Sequence, residues 1–227
     1  MTTAAFTPSR RVLLSAALSL SLLAIPSGLL AAEQGEGGKV DVTELMAPNA
    51  LPDIVEGKAS APVTIVEYAS MTCGHCAAFH REIYPVIKKD YIETGKVKFI
   101  LREFPLDEVA TAAFMLARSL GPDKRDAAVD LLFAQQKNWA FTDSPLDGLA
   151  SVLKQTGIGQ SRLEEVLKDT KLQQDVNAVR DRAAEKFEIR ATPTFFINGV
   201  KFTGEMKTAD LDKIIAETAK ASAPEKK

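Results

Sequence analysis

All thiol and imidazole side chains of this 227-residue chain lie within ten consecutive positions, Met71–His80, which read MTCGHCAAFH. Two residues separate Cys73 from Cys76, and His75 is one of them, while His80 follows Cys76 by four positions. A cluster of this kind can hold a metal ion, or it can form a disulfide that opens and closes. The two chemistries differ in what the rest of the chain must supply.

The ligand inventory argues against a metal site. A structural zinc ion needs four protein ligands, and besides the two cysteines the chain offers only His75 and His80. His75 would have to fold back onto the same ion as its two neighbours. Covalent haem attachment requires Cys-x-x-Cys-His, and Ala77 occupies the position of that histidine. The sequence therefore predicts no metal and no cofactor.

A redox-active Cys73–Cys76 disulfide fits the pattern better. At a helix N-terminus, unpaired backbone N–H groups and the helix dipole would stabilise a Cys73 thiolate, which is the reactive species. Cys76 would follow one turn later, within reach of a disulfide. Gly74 adds no side-chain bulk, and His75 can bring a positive charge or a hydrogen-bond donor near the sulfur. Stabilising the reduced form in this way makes the disulfide a stronger oxidant.

The elements around the cysteines predict a parallel βαβ unit. Val63–Tyr68 and Lys96–Arg102 are rich in β-branched and apolar residues, which indicates two strands. Between them, apolar residues at helical spacing predict a helix that Pro85 would kink. Strand, helix and strand in this length imply a right-handed crossover between parallel strands.

The rest of the chain shows first a helical pattern and then strand patterns again. Residues 107–185 carry apolar residues at helical spacing, which predicts a block of helices. Strand patterns then return at Thr194–Ile197 and Val200–Thr203, on either side of Asn198-Gly199, a strong hairpin signal. Because an isolated hairpin is not stable, it should join the sheet of the βαβ unit. A last helix is predicted from about Thr208.

A second motif, Ala191-Thr192-Pro193-Thr194, precedes the first strand of this hairpin. Proline is tolerated at the first position of a strand, and an X–Pro bond can be cis, although trans is commoner. A cis bond would turn the Thr192 backbone outward. Its N–H and C=O would then be free to pair with an extended substrate.

The N-terminal residues 1–32 have the order of a secretory signal. Arg10-Arg11 precedes the apolar run Val12–Ile25, and the small residues Ala31-Ala32 follow, so cleavage is expected after Ala32. The paired arginines also fit a twin-arginine signal, and a retained membrane anchor is the alternative reading. Residues 33–51 are expected to form a flexible arm with one helical turn near Val42–Met46, and residues 221–227 a disordered tail.

The net charge of the chain argues against nucleic acid as a partner. Without residues 1–32, which contain two arginines and no acidic residue, the chain has 26 basic and 30 acidic side chains, a formal charge of −4. Mild acidity gives no electrostatic footprint for nucleic acid.

Taken together, Val63–Cys76 and Ala191–Gly199 resemble the DsbA-like branch of the thioredoxin superfamily, exported bacterial thiol:disulfide oxidoreductases. The resemblance covers roughly Leu51–Lys220. It implies an α/β thioredoxin fold with an inserted helical subdomain. Residues 52–106 would form the first part of that fold, 107–185 the insert, and 186–220 the second part with the cis-proline loop.

The resemblance also implies roles for individual residues. Cys73 would be the exposed nucleophile and Cys76 the resolving cysteine, with Thr192-Pro193 facing them as the loop that binds substrate. Glu67 matches a buried acid that assists proton transfer near the second cysteine. The alternation along its strand leaves open whether Glu67 faces the interior or solvent.

The implied activity is the introduction of disulfides into folding exported proteins in the periplasm, with reoxidation by a quinone-linked membrane partner resembling DsbB. Two departures keep a reductase or isomerase open as the alternative. Gly74 replaces a proline common in oxidases, and a threonine precedes Pro193 as in the periplasmic isomerases. The segment Glu33–Pro62 is too short for the isomerase dimerisation domain, so a monomer is expected. A redox-gated chaperone of the same fold is a further alternative.

Overall fold

The computed structural model describes residues 36–204, 206, 212–213, 215–217 and 220. Six strands in this part of the chain form one mixed sheet in the order β1-β6-β5-β3-β4-β2. The strands are β1 (Glu36–Lys39), β2 (Val55–Glu56), β3 (Val63–Ala69), β4 (Val97–Glu103), β5 (Thr194–Ile197) and β6 (Val200–Thr203).

The predicted βαβ unit is present. Strands β3 and β4 pair in parallel, in register from Val63 opposite Val97 to Ala69 opposite Glu103. Helices α2 (Gly74–Glu82) and α3 (Tyr84–Ile87) and a π-helical turn, Lys88–Ile92, connect them. The predicted kink is a break at Ile83. Pro85 lies in the first turn of α3, where its missing N–H is tolerated.

The hairpin is also confirmed. Strands β5 and β6 are antiparallel, and β5 lies antiparallel to β3, so the hairpin joins the central sheet as expected. Asn198 and Gly199 have φ angles of 46° and 86°, the left-handed conformation that two-residue hairpin turns require. The Asn198 side chain also accepts a hydrogen bond from the Thr64 backbone N–H at 2.7 Å, which links the turn to β3.

Five α-helices fill the region between β4 and β5, as the helical pattern of residues 107–185 predicts. They are α4 (Glu108–Arg118), α5 (Pro122–Ala134), α6 (Pro145–Leu153), α7 (Gln160–Leu167) and α8 (Thr170–Lys186), with short 3₁₀ turns at Gln136–Asn138 and Lys154–Thr156. Trp139 is fully buried among them, and its Nε1 donates to the Leu132 carbonyl at 2.9 Å. Gly148 of α6 packs so closely on Trp139 that a Cβ there would lie 2.7 Å from its Cα.

The N-terminal segment differs from the prediction of a disordered, flexible arm. Residues Glu36–Lys39 form β1, which pairs antiparallel with β6. The pairing uses backbone groups that glycine supplies as well as any residue, so the composition gave no strand signal. The predicted helical turn is confirmed as α1 (Val42–Leu45). Buried Arg102 then holds this segment to the core by donating to the Leu45 carbonyl and to Asp53 at 2.8 Å.

Several expectations fall outside the described residues. These are the signal at residues 1–32 with its cleavage site, the tail at 221–227, and the start of the last helix near Thr208. The described residues 212–213, 215–217 and 220 are helical, and Ile215 is buried. No helix within the described part of the chain is both long and apolar enough to cross a membrane.

Candidate active site

The first cysteine caps the helix that carries the second. Cys73 is the N-cap of α2, with extended φ and ψ of −81° and 118°, and its sulfur accepts a hydrogen bond from the Cys76 backbone N–H at 3.3 Å. The Cys73 carbonyl accepts from Ala77 N at 3.1 Å, which begins the helical ladder. The predicted placement at a helix N-terminus is therefore what the structure has. Neither cysteine is in a disulfide in this state, and both are buried. The expected exposure of Cys73 is therefore wrong: the residue is 8% exposed, because it lies between the N-terminus of α2 and the Thr192 backbone.

The second motif lies against the first. The Thr192–Pro193 peptide bond is cis, the form that the sequence left open. The Cys73 sulfur lies 3.3 Å from the Thr192 carbonyl oxygen and donates a hydrogen bond to it in the thiol form, although 119 positions separate the two residues. Strands β3 and β5 are neighbours, and this pairing brings the end of β3 and the start of β5 together at one edge of the sheet.

The pKa values of the two thiols are shifted in opposite directions. A hydrogen bond from the Cys76 thiol lowers the pKa of Cys73 to about 6, against the opposing effect of burial, and the backbone N–H groups of Cys76 and His75 add to the lowering. Burial raises the pKa of Cys76 well above its ordinary value, and the hydrogen bond to Cys73 and the negative charge of Glu67 raise it further. Near neutral pH, Cys73 is therefore a thiolate and Cys76 a thiol.

Glu67 is fully buried, so the open question about its orientation is answered in favour of the interior. Its Oε2 lies 2.9 Å from Nε2 of His80, which is itself buried on α2. Burial alone would lower the pKa of His80, but the charges and hydrogen bonds of Glu67 and Asp130 raise it to about 9. His80 is therefore an imidazolium near neutral pH. From the sequence, the position of His80 one helical turn after Cys76 allowed either a role in tuning the dithiol or a simply packed or solvated helix position.

Gln136 also contributes to the site, and the sequence analysis missed it. It begins the 3₁₀ turn that follows α5 in the helical insert, and it is buried. Its Nε2 donates to the Met71 carbonyl at 2.8 Å and to the Cys73 carbonyl at 2.9 Å. The insert thus holds the loop between β3 and α2 through one side chain. A contact between residues so far apart in sequence leaves no local signal.

The two remaining predicted site residues, Gly74 and His75, lie at the protein surface. Both are exposed in the first turn of α2, and a Cβ at Gly74 would meet nothing within 4 Å.

Leu106, which follows β4, is 55% exposed, and its backbone N–H donates to Ser70 Oγ just before the cysteine loop. Over the described ranges, no group of three or more His, Cys, Asp or Glu side chains could hold a metal ion.

Comparison with known proteins agrees with this geometry. A family model described as thioredoxin matches residues 49–217. The crystal structure of alpha-DsbA1 from Wolbachia pipientis superimposes with a TM-score of 0.73 and 30% sequence identity, over 80% of this chain and 98% of that one. The chain belongs to the DsbA-like family of the thioredoxin superfamily. The thioredoxin fold with a helical insertion is thereby confirmed.

Two sequence relatives are named for disulfide chemistry. A Rickettsia typhi protein, provisionally named a protein-disulfide oxidoreductase, is 32% identical over 150 residues, which is 66% of this chain and 56% of the relative. Disulfide bond formation protein D of Bacillus subtilis is 32% identical over 152 residues, 63% of this chain and 67% of that protein. The DsbA-like chain therefore spans little more than half the length of its Rickettsia relative.

Proposed function

We propose that this DsbA-like protein is a periplasmic thiol:disulfide oxidoreductase that introduces disulfides into exported proteins through Cys73 and Cys76. The observation that carries the proposal is the asymmetry of the dithiol. The sulfur of Cys73 is stabilised as a thiolate at a helix N-terminus, and that of Cys76 is a fully buried thiol. Stabilising the reduced form makes the disulfide oxidising.

The reaction follows from that asymmetry. A substrate thiolate attacks the Cys73 sulfur of the oxidised protein, the Cys73–Cys76 bond breaks, and the Cys76 sulfur leaves with the electron pair and takes a proton. A second substrate thiolate then attacks the substrate sulfur of the mixed disulfide. Cys73 leaves as a thiolate, and its low pKa makes it a good leaving group. The substrate loses two electrons and the protein gains them.

The cis-proline loop is the proposed substrate contact. Thr192 lies beside the Cys73 sulfur, so a peptide chain that pairs with the Thr192 backbone would carry its cysteine to the reacting atom. Folding exported proteins are the proposed substrates, a quinone-linked membrane protein resembling DsbB is the proposed reoxidant, and the protein is proposed to act as a monomer.

One sequence observation keeps an isomerase or reductase as the second candidate. The residues between the cysteines are Gly74 and His75, and a threonine precedes Pro193. All three would adjust the redox potential without altering the asymmetry of the thiols.

The equilibrium of the Cys73–Cys76 disulfide with glutathione tests the proposal. A potential between about −120 and −180 mV is expected, whereas a value near that of thioredoxin, about −270 mV, would refute the oxidase. The Cys73→Ser variant is the blank, because it cannot form the disulfide. Catalysed refolding of a reduced protein, compared with one bearing scrambled disulfides, separates oxidase from isomerase. Osmotic-shock fractionation of bacteria that express the full chain tests the periplasmic location.

A further inference from the structure

The loop after β3, which carries the nucleophile, is hydrogen-bonded to the loop after β4, which leads into the helical insert. Two contacts join the loops side by side. The Leu106 backbone N–H donates to Ser70 Oγ at 3.2 Å, and the Thr72 hydroxyl donates to Asp107 Oδ2 at 2.7 Å. Thr72 immediately precedes Cys73. The association of the two parallel strands thus continues past their ends, up to the residue before the nucleophile.

The hydroxyl protons of Ser70 and Thr72 have defined places. Thr72 gives its one hydroxyl proton to Asp107, so Ser70 is the donor in the contact of 3.2 Å between Ser70 Oγ and Thr72 Oγ1. Ser70 Oγ in turn accepts the backbone N–H groups of Thr72 at 3.4 Å and Leu106 at 3.2 Å. The donors therefore follow one direction and end on a carboxylate, and a hydrogen bond to a charged acceptor is stronger than a neutral one.

Asp107 uses its two carboxylate oxygens for different bonds. It is the N-cap of α4, where its Oδ1 accepts from the Ala110 backbone N–H at 2.7 Å. Its Oδ2 accepts from Thr72. A capping residue needs only the first of these bonds. The second bond links the start of the insert to the cysteine loop.

The insert therefore restrains the backbone on both sides of Cys73. Before it, the Ser70 carbonyl accepts the Cys73 N–H at 3.1 Å, which closes a turn, and Thr72 inside that turn is bonded to Asp107. After it, the Cys73 carbonyl accepts from Gln136 at 2.9 Å. The extended backbone that places the Cys73 sulfur at the N-terminus of α2 is thus held from two directions.

We propose that Asp107 is a positioning residue of the redox site, which acts through the Thr72 hydroxyl to hold Cys73 where the backbone N–H groups of α2 stabilise its sulfur. This inference rests on the proposed function and deepens it, because it gives the first turn of the insert a part in setting the reactivity of the nucleophile. Asp107 contacts neither the sulfur nor a substrate in this role, and no proton or electron passes through it.

Two variants break the contact from its two ends. Thr72→Val removes the hydroxyl with little change in volume and leaves the cap of α4 intact. Asp107→Ser keeps a favoured N-cap residue but has no second oxygen for Thr72. The matched control is Asp169→Ser, because exposed Asp169 caps α8 in the same way, by accepting from Leu172 N at 2.9 Å. Thr72→Ser, which keeps the hydroxyl, is the conservative variant.

The readout is the alkylation of Cys73 by iodoacetamide in the reduced full chain as a function of pH. Below the midpoint, the rate is proportional to the small fraction of thiolate. There, Thr72→Val and Asp107→Ser should each lower the rate about threefold or more, the effect of one net hydrogen bond, and should move the midpoint to higher pH. Thr72→Ser should stay close to the wild type, and Asp169→Ser should not differ from it.

The equilibrium with glutathione gives a second readout. A less stable thiolate makes the disulfide less oxidising, so Thr72→Val and Asp107→Ser should both shift this equilibrium towards the Cys73–Cys76 disulfide. The double variant tests whether the two residues act through one bond. It should resemble Thr72→Val alone, whereas additive effects would mean that Thr72 and Asp107 act independently and would overturn the proposal.

Two further outcomes would overturn the positioning role. A midpoint that moves to lower pH in Asp107→Ser would show that Asp107 acts through its charge, because removing a negative charge favours a nearby thiolate. Unchanged midpoints in both single variants, even with lower stability, would leave the contact purely structural. Should Thr72→Val fail to fold, the surface variant Asp107→Ser decides alone. A wild type that does not exchange with glutathione refutes the proposed function, whereas altered variants of an active wild type bear only on the positioning of Cys73.

Discussion

The imidazole of His80 and the carboxylate of Glu67 form an ion pair of 2.9 Å inside the protein, and it joins the helix that carries the cysteines to the central strand β3. Breaking a buried pair by removing one partner leaves the other charge uncompensated. The pair therefore ties the geometry of α2 to the protonation state of His80. That coupling has a measurable consequence for stability.

The contribution of His80 to stability should fall as pH rises. Its folded-state pKa is about 9, above the ordinary value of 6.5, so its stabilising effect is complete below about pH 6.5 and is lost as pH rises through 9. A shift of this size in a buried group corresponds to a few kcal/mol. Urea unfolding of the reduced wild type and of His80→Gln, measured from pH 6 to 10, should give a difference in unfolding free energy that shrinks with pH. A difference that stays constant across this range would contradict the assignment.

The thiolate of Cys73 should be detectable by its reactivity. Its pKa of about 6 predicts that the rate of alkylation by iodoacetamide rises with a midpoint near pH 6. The largest cause of the low pKa is the hydrogen bond from the Cys76 thiol. Cys76→Ala should therefore move the midpoint to higher pH. Cys76→Ser, which keeps a hydroxyl donor, is the matched control and should move it less; equal shifts would show that the hydrogen bond does not set the pKa.

The sequence was sufficient for the parts of the site that depend on local patterns. The Cys-x-x-Cys spacing, the strand before it and the Asn-Gly hairpin are local signals, and the structure has each of them. Glu67 was ambiguous for a physical reason. Six of the seven residues of β3 are buried, so the strand shows no alternation that would reveal which face holds the acid.

The groups that the sequence did not reveal reach the site through long-range contacts. Gln136 and Asp130 belong to the helical insert, more than fifty positions from the cysteines, and helical periodicity marks the buried face of a helix without naming its partner. Strand β1 was missed because backbone pairing does not depend on side-chain type. Tertiary contacts of this kind become visible only when the sheet and the insert are assembled.

Substitution of each cysteine separately tests their roles. With Cys76→Ser, a mixed disulfide between Cys73 and a substrate cannot be resolved from within the protein, so substrate adducts should accumulate. With Cys73→Ser, the remaining thiol is 0% exposed and should trap almost nothing. Non-reducing electrophoresis of periplasmic extracts that contain each variant would compare the two. Equal trapping by both variants would contradict the assignment of Cys73 as the nucleophile.

Removing the amide of Gln136 should loosen the cysteine loop. Gln136→Leu has nearly the same volume but no donor, so the buried Met71 carbonyl loses the hydrogen bond at 2.8 Å and the Cys73 carbonyl keeps only its bond from Ala77. An unsatisfied buried carbonyl costs about 1–3 kcal/mol, and urea unfolding should show a loss of this size. The exposed Gln174 of α8 gives the matched control, and Gln174→Leu should leave stability unchanged.

The Gln136→Leu variant also tests whether Gln136 only stabilises the fold or influences the pKa of Cys73 as well. Cys73 can accept the Cys76 N–H only while the N-cap keeps its extended backbone, and Gln136 restrains the carbonyl of that residue. A loosened loop should weaken this bond, so the midpoint of Cys73 alkylation should move to higher pH in Gln136→Leu. Lower stability with an unchanged midpoint would mean that Gln136 supports the insert against the loop without influencing the thiolate.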